Sequence, residues 1–152
     1  MKKAIMLILI AASVWGIPYS IGQSVVPLDL QDQHGKRTAF KVMPKTLILA
    51  YEKETAATVN EFLNGQVSGY LKKYNAAFVA DISGMPNFIT EAFALPEMRK
   101  YSHTVLLIRD EEEGLKFPGK EEKITVMKFN GNVVASITYM STAAELKTAI
   151  EQ

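Results

Sequence analysis

The chain has 152 residues, 48% of them hydrophobic and 22% charged. That is enough apolar material for one ordinary core and argues against general disorder. A formal net charge of +1 leaves no basic footprint for nucleic acid, and the lack of any cysteine excludes disulfides and thiolate chemistry.

Lys2 and Lys3 precede an uncharged run from Ala4 to Ile17, which ends at Pro18. As a helix that run spans about 21 Å, short of the ~30 Å hydrocarbon core. Residues 1–22 are therefore read as a cleavable signal peptide, in preference to an uncleaved anchor, and residues 23–152 as a single domain. Two cuts remain open: Ser20-Ile21-Gly22 offers small residues, and so does Gly16 with Val14 upstream. Removing Lys2 and Lys3 from the 17 basic residues leaves 15 against 16 acidic ones, a net −1. The expected location is the periplasm, with no stable membrane insertion after cleavage and no nucleic-acid partner.

Val25 to Leu30 predicts a strand, Gln33-His34-Gly35-Lys36 a turn, and Thr38 to Val42 the returning arm of an N-terminal hairpin. Thr46 to Tyr51 is a near-continuous apolar run, as in a strand covered on both faces. Val59, Phe62, Leu63, Val67, Tyr70, Leu71 and Tyr74 then recur at helical spacing, with Asn64-Gly65 as a possible break. Thr58-Val59-Asn60-Glu61 fits a capping box, and Thr55 offers a cap one turn earlier. Ala77 to Ile82 predicts a second buried strand, Pro86 to Lys100 a helical region interrupted at Pro96, and His103 to Arg109 a third core strand. Asp110-Glu111-Glu112-Glu113 reads as a solvated turn or helix start, and residues 111–122 as a weak helix or loop. Ile124 to Phe129 and Val133 to Met140 flank Asn130-Gly131, a strong hairpin signal. Thr142-Ala143-Ala144-Glu145 is a second capping box, opening a terminal helix with Leu146, Ala149 and Ile150 inward.

This order of elements predicts an α/β fold: a mixed sheet with helices on both faces. The ending ITVMKFNGNVVASITYMSTAAELKTAI resembles the closing hairpin and helix of thioredoxin-fold proteins. The opening GQSVVPLDLQDQHGKRTAF is similar to the N-terminal hairpin of peroxiredoxins and of membrane-anchored thioredoxin-like reductants. The strand HTVLLIRD gives the arrangement a peroxiredoxin-like character, and the missing cysteines are similar to YtfJ-type periplasmic proteins. The resemblance implies a thioredoxin-like domain whose reactive cysteines would stand at the start of the helix after the first core strand. Thr55 and Thr58 are matched to the Cys-x-x-Cys positions, and Lys123 to the cis-proline position of thioredoxins. Both markers of redox chemistry are therefore missing.

In open α/β sheets, ligands sit beyond the carboxyl ends of the strands. Tyr51, Glu52, Thr55, Thr58, Asp81 and Lys123 are the residues expected around such a cleft, with Thr55 and Thr58 otherwise acting as helix caps. His34 and His103 stand in no metal-ligand spacing, and the scattered methionines read as core filler. No catalytic residue, metal or cofactor is implied. The expected function is binding of a protein segment or small ligand without turnover. The alternative is an enzyme using non-thiol groups or a bound cofactor, which a co-purified chromophore or metal would reveal.

Overall fold

The computed structural model of the protein describes residues 17–152. Residues 1–16, with the basic start and nearly all of the apolar run of the expected leader, lie outside the described residues. Among the described residues, no helix is long and apolar enough to cross a membrane.

An irregular segment leads into the hairpin β1 (Asp29–Asp32) and β2 (Arg37–Ala39). It starts later than Val25 because Pro27 has no N–H for a ladder and the Val25 amide is spent on Asn132 O, at 2.8 Å. The turn is held by Asp32, whose Oδ1 accepts from the amides of His34 and Lys36, while Gly35 takes a φ of 79°. Strand β3 (Thr46–Ala50) is buried at every position, as expected of a central strand. Helix α1 (Lys53–Asn64) follows, and α2 (Tyr70–Lys73) is a separate turn of helix. The helical spacing does not run through the gap: Gly65 closes α1, Gly69 takes a φ of 81°, and Val67 points out, 75% exposed.

Strand β4 (Ala76–Asp81) precedes a helical stretch made of α3 (Asn87–Ile89), a π-helical turn (Thr90–Ala94) and α4 (Leu95–Met98). The expected interruption at Pro96 takes this form. Proline lacks the amide a regular turn would use and crowds the carbonyl four residues back, and the wider turn relieves both. Strand β5 is only Leu106–Ile108, shorter than the expected His103 to Arg109, because the Val105 amide bonds a side chain, Gln33 Oε1, at 2.9 Å. After α5 (Glu111–Leu115) come β6 (Ile124–Asn130), β7 (Val133–Met140) and α6 (Ala143–Glu151). Asn130 pairs with Val133, so the turn is Gly131-Asn132, one residue later than Asn130-Gly131, with Gly131 at a φ of 61°.

The seven strands form one sheet in the order β2-β1-β5-β4-β3-β6-β7. Strands β3, β4 and β5 are parallel, and the other pairings are antiparallel. On one face Ile48, Phe78, Leu107 and Val126 pack against Val59 and Leu63 of α1, Tyr70 of α2, Leu95 of α4, and Leu146 and Ile150 of α6. On the other, Leu47, Leu49, Val79, Leu106 and Met127 meet Val25, Leu28, Met43 and Phe117, which lies two residues past the end of α5. Each fully buried side chain of this size contributes roughly 1.5–3 kcal/mol, which is how a domain without disulfides holds together.

The terminal capping box forms as expected. Thr142 Oγ1 accepts from the Glu145 amide at 3.2 Å, and Glu145 Oε1 accepts from the Ser141 amide and the Thr142 hydroxyl. These bonds, the Thr142 hydroxyl first, hold the Glu145 carboxyl below its ordinary range. Thr142→Ala is expected to lower stability by about 0.5–2 kcal/mol in urea denaturation, with Thr142→Ser nearly neutral.

Candidate functional site

Strands β3 and β4 run side by side and end together, Ala50 opposite Ala80, so the residues that follow them share one end of the sheet. There Tyr51, Glu52, Asp81 and Ser83 line a cleft of about 330 Å³, closed on its other side by the 111–121 segment. Pro18, Leu115 and Phe117 supply apolar wall, and Glu111 and Glu121 add carboxylates. Among the described residues, none of Glu52, Asp81, Glu111 and Glu121 stands in an ion pair.

The cleft is built around two glycines. A Cβ on Gly114 would stand 2.1 Å from Asp81 Oδ2, and one on Gly119 would stand 2.9 Å from Cε2 of the Tyr51 ring. The missing side chains let α5 and the loop after it close onto the strand ends. Tyr51 donates its hydroxyl to Pro118 O at 2.9 Å. Burial above all, then the charge of Asp81, pushes its phenol above the ordinary range, so it acts as a fixed donor and not as a base. Asp81 Oδ1 accepts from the Ser83 amide at 2.9 Å. Lys120 stands over the Tyr139 ring, 4.5 Å from its centre.

Glu52, not Thr55 or Thr58, is the N-cap of α1, so both expected caps are corrected. The Thr55 hydroxyl donates to Glu52 O at 3.0 Å and the Thr58 hydroxyl to Glu54 O at 3.2 Å, back-bonds within the helix. Apolar periodicity placed the helix one turn late, because Lys53 and Glu54 face solvent in its first turn. The i,i+3 pair at the start of the helix is thus Glu52 and Thr55. The Glu52 side chain makes no cap bond; its Oε1 accepts from the Glu122 amide at 2.7 Å, pinning a residue held at a φ of 59°.

Of the six expected site residues, Tyr51, Glu52 and Asp81 meet in the main cleft. Thr55 and Thr58 line an adjoining hollow of about 210 Å³ that shares Glu52. Lys123 lines neither and reaches Ser141 Oγ at 2.7 Å. Its place before β6 is as expected, but its ammonium turns to the start of α6. Gly114 and Gly119, which in the sequence mark residues 111–122 as a weak helix or loop, also belong to the site, where they permit close approach to Asp81 and Tyr51.

Two further features carry no sequence signal. A groove of about 660 Å³ lies at the opposite end of the sheet, bounded by Phe40, Leu63, Val67 to Lys72, Asn75 to Phe78 and Ser102 to Thr104. Beside it, His103 Nε2 bonds Asn60 Oδ1 at 2.8 Å, and its buried Nδ1 has no partner. Burial pulls this imidazole down from 6.5 to about 4. The unfolded chain therefore binds the extra proton between those values, and stability is lost as the pH falls from about 6.5 towards 4. Urea melts across that window should show a steeper loss for the wild type than for His103→Gln. Among the described residues, no three His, Asp or Glu side chains are grouped as metal ligands would be.

No protein-family model matches the chain, and no curated protein matches its sequence. Solved structures do. A putative protein disulfide isomerase from Bacteroides thetaiotaomicron matches with a TM-score of 0.58 at 13% identity, over 91% of this chain and 90% of that one. Peroxidoxin BcpB from Mycobacterium tuberculosis matches with a TM-score of 0.55 at 15% identity, over 86% and 94%. A SCO1/SenC family lipoprotein from Bacillus anthracis matches with a TM-score of 0.52 at 9% identity, over 87% and 98%. At such identities the likeness is one of fold. The chain has a thioredoxin-like fold in the peroxiredoxin-like arrangement, and it carries neither a Cys-x-x-Cys pair nor a peroxidatic cysteine.

Proposed function

We propose that this protein is an exported, non-catalytic member of the thioredoxin-like proteins, acting by binding at the cleft beyond β3 and β4. The observation that carries the reading is the cleft itself, closed around Gly114 and Gly119 at the end of the sheet where α1 begins, in a chain with no thiol. Its occupant is a segment of another protein, or a small ligand, with positive charge and some apolar surface. Four carboxylates, Glu52, Asp81, Glu111 and Glu121, outnumber the one ammonium of the lining, Lys120, which stands over the Tyr139 ring, while Pro18, Leu115 and Phe117 offer apolar contact. Tyr51, fixed as a donor to Pro118, serves as wall and not as a reacting group.

The test is a nuclear magnetic resonance titration of the isotopically labelled chain with the blocked tripeptide Lys-Leu-Arg, against Glu-Leu-Glu as control. Shifts at the amides of Gly114, Gly119 and Lys120 with the basic peptide alone are expected. No shifts there, or equal shifts with both peptides, would refute the reading. Insulin-disulfide and peroxide reduction are expected at the level of a heat-killed control.

A further inference from the structure

We propose that the chain is processed by a single cut between Gly16 and Ile17, and that residues 17–22 are the first residues of the working domain. This rests on the export reading. Of the two cuts compatible with the leader, only the earlier one keeps the contacts that residues 18–22 make with the domain.

Tyr19 donates its amide to Lys116 O at 2.8 Å, and its ring packs edge-on against Phe117 with centres 5.4 Å apart. Phe117 is a buried member of the second core and a wall of the cleft. Gly22 donates to Val134 O at 2.8 Å, the Val134 amide returns a bond to Gln23 O at 2.9 Å, and Ser24 bridges Val133. This stretch is laid against β7, the outermost strand of its side of the sheet, and shields part of an open edge. A cut after Gly22 removes Pro18, Tyr19 and Gly22 itself, strips one side of Phe117, loses the Gly22 bond to Val134 O and turns the Gln23 amide into a free terminus.

The glycine at position 22 has its own reason. Residues 20–23 form a turn in which the Gln23 amide donates to Ser20 O at 3.1 Å, and Gly22 takes a φ of 87°. That conformation asks for glycine at the third turn position, so Gly22 needs no peptidase to explain it. The other small residue in the leader that a peptidase would accept is Gly16, with Val14 upstream. The step is a hydrolysis: water adds across the Gly16–Ile17 amide, giving a Gly16 carboxylate on the leader and an ammonium on Ile17.

The experiment is expression of the full chain in an exporting bacterium, osmotic release, and amino-terminal sequencing with intact mass. The expected sequence is Ile-Pro-Tyr-Ser, and Gly16→Leu should cause at least a tenfold loss of the processed form. A terminus at Gln23, or normal processing of Gly16→Leu, overturns the assigned cut while leaving export in place. Recovery of only the full-length wild-type chain, in the cytoplasm or the membrane pellet, overturns both.

Discussion

Gln33→Leu is expected to lower stability by about 2–5 kcal/mol, as read from urea denaturation of the purified protein. Gln33 sits in the turn after β1, yet it is only 1% exposed, and its side chain serves three places at once. Its Nε2 donates to His103 O at 2.8 Å and, more weakly, to Met98 O at 3.4 Å, while its Oε1 accepts from the Val105 amide at 2.9 Å. Its own carbonyl accepts from Arg99 Nε at 3.0 Å. The amide thus stands in for the sheet ladder just before β5 and ties that entry to α4. Leucine has about the right volume but leaves the Val105 N–H, in a residue with 0% exposure, and the His103 carbonyl without partners. Each buried group so orphaned costs roughly 1–3 kcal/mol. Gln33→Glu keeps the acceptor for Val105 and loses the donor to His103, so a loss of similar size is expected at neutral pH. A change below about 0.5 kcal/mol for Gln33→Leu would show that water replaces the amide at no cost.

Gly114→Ala is expected to cost about 1–3 kcal/mol and to abolish the peptide-induced shifts at the cleft. Two effects oppose each other here. Alanine is the better helix former by about 1 kcal/mol, and Gly114 lies within α5. Against that, the new methyl would stand 2.1 Å from Asp81 Oδ2, so the carboxylate must swing away. Swinging away gives up its bond from the Ser83 amide, worth roughly 1 kcal/mol, and shifts groups packed around it. Steric displacement outweighs propensity. A variant as stable as the wild type that still shows the cleft shifts would mean that Asp81 neither closes nor shapes the site.

The contrast between these two residues shows what the sequence could tell. Elements written in periodicity were legible: the apolar run of β3, the β6–β7 hairpin and the Thr142 capping box each have a local signature that packing then confirms. What packing alone decides was not. Gln33 in a polar turn string looks like any turn residue, and its burial depends on α4 and β5 arriving from more than sixty positions away in the chain. The start of α1 was misplaced for a related reason. Its first turn is charged and solvent-facing, so apolar spacing begins only at Val59, and threonines that look like caps turn out to bond backward. The site was half legible. Strand ends named Tyr51, Glu52 and Asp81, whereas the glycines opposite them became informative only once α5 was seen to lie against Asp81.

We propose that Glu52 and Thr55, the cap and first buried residue of α1, stand where a thioredoxin-like fold carries its thiols, one turn before the expected Thr55 and Thr58. The most direct measurement is disulfide formation in the double variant Glu52→Cys/Thr55→Cys, compared with Thr55→Cys/Thr58→Cys. A disulfide needs Cβ atoms about 3.5–4.5 Å apart, and residues three apart inside a regular helix hold theirs at about 5–6 Å. Thr55 and Thr58 both lie inside α1, whereas Glu52 is an extended cap, with φ −129° and ψ 154°, whose carbonyl already accepts from the Thr55 hydroxyl. Mild oxidation is expected to close an intramolecular disulfide in the first variant and not in the second, both folded by circular dichroism. A folded first variant that stays reduced, or a second variant that closes in its place, would contradict it.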